Sequence, residues 1–474
     1  MMDAEEFRKQ AHRLVDWMAD YYRGIEKFPV KAKVNPGDIY KQIPETPPDE
    51  SESMESIFRD FEQIILPGMT HWQSPNFFAY FPANSSYPSV LGEMLTATLA
   101  AQCMIWDTSP AAAELEEKVM NWLKTMLGLP QNWEGVIQDT ASSATLVSLL
   151  TAREKYSHYQ INEKGFADFG NFRIYCSGET HSSVEKAVKI AGFGKENLVK
   201  VEVDTQLRLD PRALQNAIEK DRQAGKVPIA VVATLGTTGT TAIDPLKEIA
   251  DICGRNHLWL HVDAAFAGNA LVLPEYRWMI EGIEQVDTFV FNPHKWMFTN
   301  FDCSAYFVKD REALLRTMAI LPEYLKTATT GRVNDYRDWG IALGRRFRAL
   351  KLWFVIRNFG VKGIQERFRD HIRWASELED QIARQQDFEL LAPRTLNLIC
   401  FRYHPEAVND DAKLDALNMR LEQILNDSGK LFLTHTRVKG KYTLRLVTGQ
   451  TYLQKRHVQR AWEIIQKEAR ALTL

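Results

Sequence analysis

The chain has 474 residues, of which 45% are hydrophobic, 11% aromatic and 25% charged. This is the balance of a globular protein with material for a large core and two to four domains, which excludes a disordered or fibrous chain. A formal net charge of −3 without any block of Lys and Arg argues against a polyanion such as nucleic acid as partner.

The first ten residues, MMDAEEFRKQ, lack the basic start and apolar core of a signal peptide. No later window supplies the ~18 continuous apolar residues of a membrane span. Five widely spaced cysteines without a C-x-x-C pair suggest neither a disulfide framework nor a zinc site. A cytoplasmic protein without a bound metal is expected.

Over residues 5–27, Phe7, Ala11, Leu14, Met18, Tyr21 and Ile25 recur every three or four positions, which predicts a helix with one apolar face. Pro36, Pro44, Pro47 and Pro48 then exclude regular structure. Residues 1–86 are therefore expected to form a helical arm, packed on a partner subunit or on its own chain. From about 88 to 310 short β-branched runs alternate with helical windows: FRIYCS (172–177), LVKVEV (198–203), IAVVATLG (229–236), LWLHVDAA (258–265), DTFVFNP (287–293) and CSAYFVK (303–309). Several are almost continuously apolar, as strands covered on both faces of a mostly parallel sheet must be. Ser109-Pro110, Asp210-Pro211 and Asp244-Pro245 each predict a helix start, with a capping side chain before proline at the first helical position. Residues 87–364 read as a large α/β domain. The segment KTATTGRVNDYRDWG (326–340), which holds Tyr336, is a predicted mobile loop. Residues 365–474 carry a long helix, strands LNLICFRY (396–403) and KYTLRLVTG (441–449), and a helix near 454–471, a smaller α+β domain.

Four motifs sit where strands end or helices begin. In NPHKW (292–296) a lysine follows the apolar run TFVF. The C-terminal ends of strands are where α/β sheets bind ligands, and partial desolvation there favours the uncharged amine that imine formation requires. In HVDAAFAG (261–268) Asp263 ends another apolar run, where a buried carboxylate needs a partner such as a protonated pyridine nitrogen, or caps the next turn. The small residues after it admit something flat. TASSATLVSLLTAR (140–153) opens a helix with hydroxyl and small residues, whose free N–H groups suit a phosphate. No G-x-G-x-x-G or G-K-[ST] is present to indicate a dinucleotide or a nucleoside triphosphate. ETHSSVEKA (179–187) places His181 after a strand, able to stack on a planar cofactor.

The order TAS, H-S-S-V, GTT, H-V-D-A-A, N-P-H-K-W resembles the group II pyridoxal-phosphate decarboxylases, in particular the aromatic-L-amino-acid decarboxylases. The likeness extends from HWQSPNFFAYFPANSSYP (71–88) through LGRRFRALKLWFVIRNFGVKG (343–363) to HVQRAWE (457–463). It implies the aspartate aminotransferase-like fold, fold type I of pyridoxal-phosphate enzymes, with a mostly parallel seven-stranded sheet. It implies pyridoxal 5'-phosphate as cofactor, with Lys295 forming the Schiff base, Asp263 holding the pyridine nitrogen and His181 stacking on the ring. Ala141, Ser142, Asn292 and His294 match the family's phosphate-binding positions, and Thr238 matches a threonine beside the ring. Trp72, Tyr80, Phe81, Pro82 and Ala83, with His181 and Gly360, match the substrate pocket. Phe301, Met104 and Ile105 match residues that reach into a partner's site, which implies a homodimer. Tyr336 matches a loop tyrosine that returns a proton to the substrate after carbon dioxide leaves.

The expected reaction is decarboxylation of tryptophan, phenylalanine, tyrosine or DOPA to the arylalkylamine. Within the same family, aldehyde synthases decarboxylate and then oxidatively deaminate. Those relatives commonly replace the loop tyrosine or the stacking histidine, so Tyr336 and His181 favour the amine-forming reaction. Gly360 matches a position that is glycine in relatives handling indoles, and Ala83 stands where animal relatives carry a threonine; both tilt the expectation toward a less polar ring. A catalytically silent relative predicts loss of Lys295, Asp263 or His181, and all three are present. A non-aromatic amino acid is a further alternative, since cousins of the fold use them.

Overall fold

The structure, a computed structural model, describes residues 2–320 and 333–472. These fall into two compact units, one formed by Ala83–Arg373 with Ala392–Leu398, the other by the first 82 residues with Trp374–Leu391 and Ile399–Leu474.

The larger unit is built on seven strands: β1 (Glu134–Gln138), β2 (Phe172–Ser177), β3 (Leu198–Val201), β4 (Val227–Thr234), β5 (Trp259–Asp263), β6 (Thr288–Phe291) and β7 (Ser304–Val308). Their order in the sheet is β1-β7-β6-β5-β4-β2-β3. β3, β2, β4, β5 and β6 run parallel, and β7 runs antiparallel to both of its neighbours, β6 and β1. This is the mostly parallel seven-stranded sheet of fold type I. Every residue of β5, β6 and β7 is buried, which is why their runs show no alternation of polar and apolar residues. Asp263 is paired in register with Thr234 on β4 and Val290 on β6, so the C-terminal ends of the three central strands lie level and the loops after them open on one edge of the sheet.

Two of the expected helices begin at their prolines and one does not. Of those two only Asp210 caps with its side chain, the Ser109 hydroxyl donating to Gln102 O (3.1 Å) and Thr108 O (2.7 Å) instead. Ser109 and Asp210 precede helices Pro110–Leu127 and Pro211–Gln223, and the Asp210 carboxylate accepts the Arg212 N–H at 2.8 Å. The third helix begins at Leu246, with Pro245 itself as the flanking residue. Asp244 is fully buried and accepts the N–H groups of Leu209 (2.8 Å) and Thr234 (2.7 Å) instead, tying the end of β4 to a neighbouring loop. Two backbone donors at once outcompete a single capping bond, although burial still pushes its carboxyl up to about 6.

In the smaller unit β8 (Phe388–Leu390), β9 (Leu398–Tyr403), β10 (Thr434–Val438) and β11 (Lys441–Val447) form a sheet ordered β10-β11-β9-β8. Its core joins Trp374, Leu378, Phe401, Leu421, Leu444 and Trp462, contributed by the sheet, by the end of helix Arg348–Ala383 and by helices Asp411–Asp427 and Lys455–Ala471. Phe78 donates its N–H to Phe432 O (2.9 Å) and accepts that of Val447 (3.0 Å), which is why residues 1–82 group with the C-terminal segments rather than standing apart as residues 1–86. Helix Ala4–Gly24 buries none of its residues fully, and Phe7 is 61% exposed. At the other boundary, helix Arg348–Ala383 runs straight past the expected division at 364/365, and the units part within it, after Arg373.

Candidate active site

Lys295 lies in the single-turn helix Pro293–Trp296 immediately after β6. That turn is anchored from within. Trp296 is fully buried between the rings of Phe266 (5.1 Å) and Phe368 (4.5 Å), and its indole N–H donates to His371 Nδ1 at 2.9 Å. Burial pulls the Lys295 amine below the usual lysine range, opposed by the negative charge of Asp263. A lysine so placed has a larger uncharged fraction than one in water, the property a nucleophilic amine needs.

Asp263 is the last residue of β5 and is buried. Its Oδ1 accepts the Ala265 N–H at 3.0 Å, which fixes the carboxylate plane. A buried carboxylate held in this way suits a cationic N–H as its partner. His181 follows β2, and its Nδ1 sits 2.8 Å from Ser183 Oγ and 3.2 Å from the Ser183 N–H, which locks the ring. Burial and the Lys295 charge hold its pKa below the ordinary value, with Asp263 opposing. The structure thus brings Lys295, Asp263 and His181 into one electrostatic group.

Ala141 and Ser142 form the first turn of helix Ala141–Tyr156, where N–H groups have no intrahelical acceptor. Thr140 caps the helix by accepting the Ser143 N–H at 3.4 Å, leaving the two preceding N–H groups for an anion. Asn292 Oδ1 accepts from Ser304 Oγ (2.7 Å), which orients the amide with its NH2 as the remaining donor. His294 Nδ1 accepts the Cys303 N–H (2.9 Å), and burial pushes its pKa down to about 3, so the ring is neutral with its proton on Nε2. Thr238 lies exposed after β4, beyond Gly236. Gly236 has φ +86°, and a Cβ there would meet Ala267 Cβ at 2.7 Å, so glycine is required for the β4 and β5 loops to approach.

These residues fit pyridoxal phosphate: an amine for the aldehyde, a carboxylate for the ring nitrogen, a ring to stack, and neutral donors with a helix start for the phosphate.

Tyr336 lies in the core of the larger unit. It begins the short helix Tyr336–Trp339, is 2% exposed, and packs with Val136, Tyr306 and Trp339, with the Arg345 guanidinium 4.9 Å from its ring centre. Tyr336 also lines a cavity of about 200 Å3 with Gln138, Asp139, Ser143, Arg345 and Arg348, while its hydroxyl is itself buried. Residues 326–332 of the predicted mobile loop lie outside the described residues. Gly360 also has a local explanation. It interrupts helix Arg348–Ala383 with φ +65° and ψ 163°, and open space surrounds the place of a Cβ. Backbone conformation alone selects glycine there.

Phe301 is 59% exposed and packs on the His294 ring (4.6 Å), Ile105 is buried, and Met104 is half-buried. Ala83 is half-buried in the larger unit. In the smaller unit Trp72 stacks on Tyr80 (5.7 Å), and Phe81 and Pro82 are buried, with the Arg445 guanidinium over the Phe81 ring.

Sequence reading missed β1, whose end leads directly into Thr140, and the buried polar group of Thr145, Ser148, His261 and Thr288. Polar residues inside the apolar runs LWLHV and TFVF were the available signal.

The family model of the pyridoxal-dependent decarboxylase conserved domain matches residues 36–404. The chain is 44% identical to tyrosine decarboxylase 2 of Narcissus pseudonarcissus over 99% of its own length and 95% of that protein. It is 43% identical to phenylacetaldehyde synthase of Arabidopsis thaliana, over 99% and 96%. Among solved structures, tryptophan decarboxylase of Catharanthus roseus in complex with L-tryptophan superposes with a TM-score of 0.94 at 40% identity, covering 100% of this chain and 99% of that one.

Proposed function

The chain belongs to the pyridoxal-dependent decarboxylases, group II carboxy-lyases whose cofactor is pyridoxal 5'-phosphate, and from that premise we propose that it converts an aromatic L-amino acid to the arylalkylamine and carbon dioxide. The observation that carries the assignment of roles is the position of His181, Asp263 and Lys295 at or just beyond the C-terminal ends of β2, β5 and β6, on one edge of the sheet. When bound, the cofactor supplies an electron sink for the pair released as the Cα–carboxylate bond breaks. Lys295 would offer the amine that holds the cofactor's aldehyde. Asp263, its plane fixed by Ala265, keeps the ring nitrogen protonated. His181 covers the ring face, and Thr238 borders it. The N–H groups of Ala141 and Ser142, the Asn292 amide and His294 Nε2–H hold the phosphate without adding a positive charge of their own.

The names of similar proteins support an aromatic substrate, since they act on tyrosine or tryptophan or form phenylacetaldehyde. Trp72, Tyr80, Phe81, Pro82 and Ala83 remain the proposed lining. Gly360 has a backbone reason of its own to be glycine, and the Tyr336 hydroxyl is buried without a partner, so neither carries the proposed choice of ring or product. His181 remains the residue favouring amine.

We also propose a homodimer. Helix Tyr87–Leu99 exposes Tyr87, Leu91, Leu95 and Leu99, each between 45% and 62%, along one face, a stripe that water disfavours. Among the described residues no helix is long and apolar enough to cross a membrane. The five cysteines, all buried as free thiols, support the proposed cytoplasmic, reducing setting.

The test is to incubate cofactor-loaded protein with a panel of amino acids and measure carbon dioxide, amine and hydrogen peroxide beside a Lys295→Ala control. Amine without peroxide from an aromatic substrate is expected. Stoichiometric peroxide would establish the aldehyde synthase instead, and a control retaining both activity and the visible absorbance of bound cofactor would remove Lys295 from its role.

A further inference from the structure

Beneath the proposed phosphate-binding turn lies a buried polar chain that links three elements. His261 is fully buried two residues before Asp263 on β5. Its Nε2 is 3.1 Å from Thr145 Oγ1, one turn into helix Ala141–Tyr156, and its Nδ1 is 2.9 Å from Thr288 Oγ1 on β6. Thr288 Oγ1 is in turn 2.6 Å from Ser148 Oγ, back on the same helix, and Ser148 accepts the Trp259 indole N–H at 2.9 Å. Thr145, Ser148, His261 and Thr288 are all 0% exposed.

This arrangement is more than core filling. Apolar residues of similar volume would fill the same space, but only directional bonds set the rotation and height of the helix against the two strands. Positions 145 and 148 share one helix face, and each makes its own bond into the sheet, so the helix is held at two points. His261 and Thr288 are register partners across β5 and β6. β5 ends in Asp263 and β6 leads into Asn292, His294 and Lys295. The helix start, the carboxylate and the amine are therefore fixed to one another through the His261 imidazole. Burial pushes that imidazole down to about 4, so at neutral pH it carries one donor and one acceptor nitrogen, as a bridge between two hydroxyls requires.

We propose that His261 is a positioning residue for the cofactor, acting through Thr145 to hold the Ala141–Ser142 turn at the height the phosphate needs relative to Asp263 and Lys295. The inference rests on the proposed placement of the phosphate at that turn.

The experiment compares binding of pyridoxal 5'-phosphate with that of pyridoxal, by equilibrium dialysis, in the full chain. Wild type is expected to bind the phosphate form far more tightly. Thr145→Val, which removes the hydroxyl at nearly constant volume, is expected to weaken the phosphate form by about tenfold, the scale of one buried hydrogen bond, and to leave pyridoxal unchanged. Thr145→Ser restores the wild-type ratio, and His261→Gln falls between them. A role confined to stability lowers both ligands equally, and that result, or an unchanged ratio in Thr145→Val, overturns the proposal. If wild type itself does not discriminate between the two ligands, the phosphate placement has failed instead.

Discussion

Replacing His261 with Gln is expected to remove one separable part of the protein's sensitivity to mild acid, to which the buried His294 and His371 also contribute. An isolated histidine titrates at about 6.5, while burial pushes folded His261 down to about 4, with Asp263 opposing. Because the folded value lies below the unfolded one, the unfolded chain takes up the proton first as pH falls. The stabilisation is complete above about 6.5 and is lost progressively down to about 4. Each pH unit inside that window costs about 1.4 kcal/mol, so a fall from 6.5 to 5 removes roughly 2 kcal/mol through this residue alone. Urea midpoints of the cofactor-free protein, followed by tryptophan fluorescence at pH 7, 6.5, 6, 5.5 and 5, measure it. The wild-type curve is expected to fall more steeply than that of His261→Gln by the slope given. Parallel curves would mean that the imidazole is hydrated or already charged in the folded state, and the bridge between Thr145 and Thr288 would lose its basis.

Tyr336→Phe is expected to keep turnover within about threefold and stability unchanged or slightly raised, because its hydroxyl is buried without a hydrogen-bond partner; a thousandfold loss of amine formation would return it to the role of proton donor. Gly360→Ala should cost about 1–3 kcal/mol in urea denaturation, since φ +65° with ψ 163° is almost closed to L side chains. The ratio of kcat/KM for tryptophan over tyrosine should be unchanged, and a shift in that ratio would place Gly360 at the substrate after all. Leu91→Glu, on the exposed face of helix Tyr87–Leu99, is expected to yield monomer by sedimentation velocity, while an unaltered dimer would place the interface elsewhere.

The central strands were legible because burial on both faces leaves unbroken apolar runs, and β2 through β7 appear where those runs lie. β1 escaped because EGVIQ mixes polar ends with only two fully buried residues. β8 and β10 escaped for related reasons: three residues in one case, and in the other a polar sequence, THTRV, whose pairing with β11 comes from the turn between them. Asp244 shows the opposite failure. Asp before Pro is a sound capping signal, but a carboxylate near the end of a buried strand meets backbone donors that no local window reveals, and those bonds moved the helix start by one residue.

The same distinction separates the residues whose placement their strands and helices dictate from those whose placement they do not. Lys295, Asp263, His181 and the Ala141–Ser142 turn are fixed by the ends of strands and the start of a helix, which position a side chain within a narrow range once the sheet is in register. Tyr336 and Gly360 were assigned through matching alone, in segments where the backbone's own demands compete. Gly360 answers to a helix kink, and Tyr336 to a core it shares with Trp339 and Tyr306. His261 lies between the two cases. Its strand fixes its position as firmly as that of Asp263, yet its function depends on Thr145, 116 residues away in sequence. A residue that acts by holding two elements together can be recognised only once both elements are in place, whereas one that presents its own side chain to a ligand declares itself from the strand it ends.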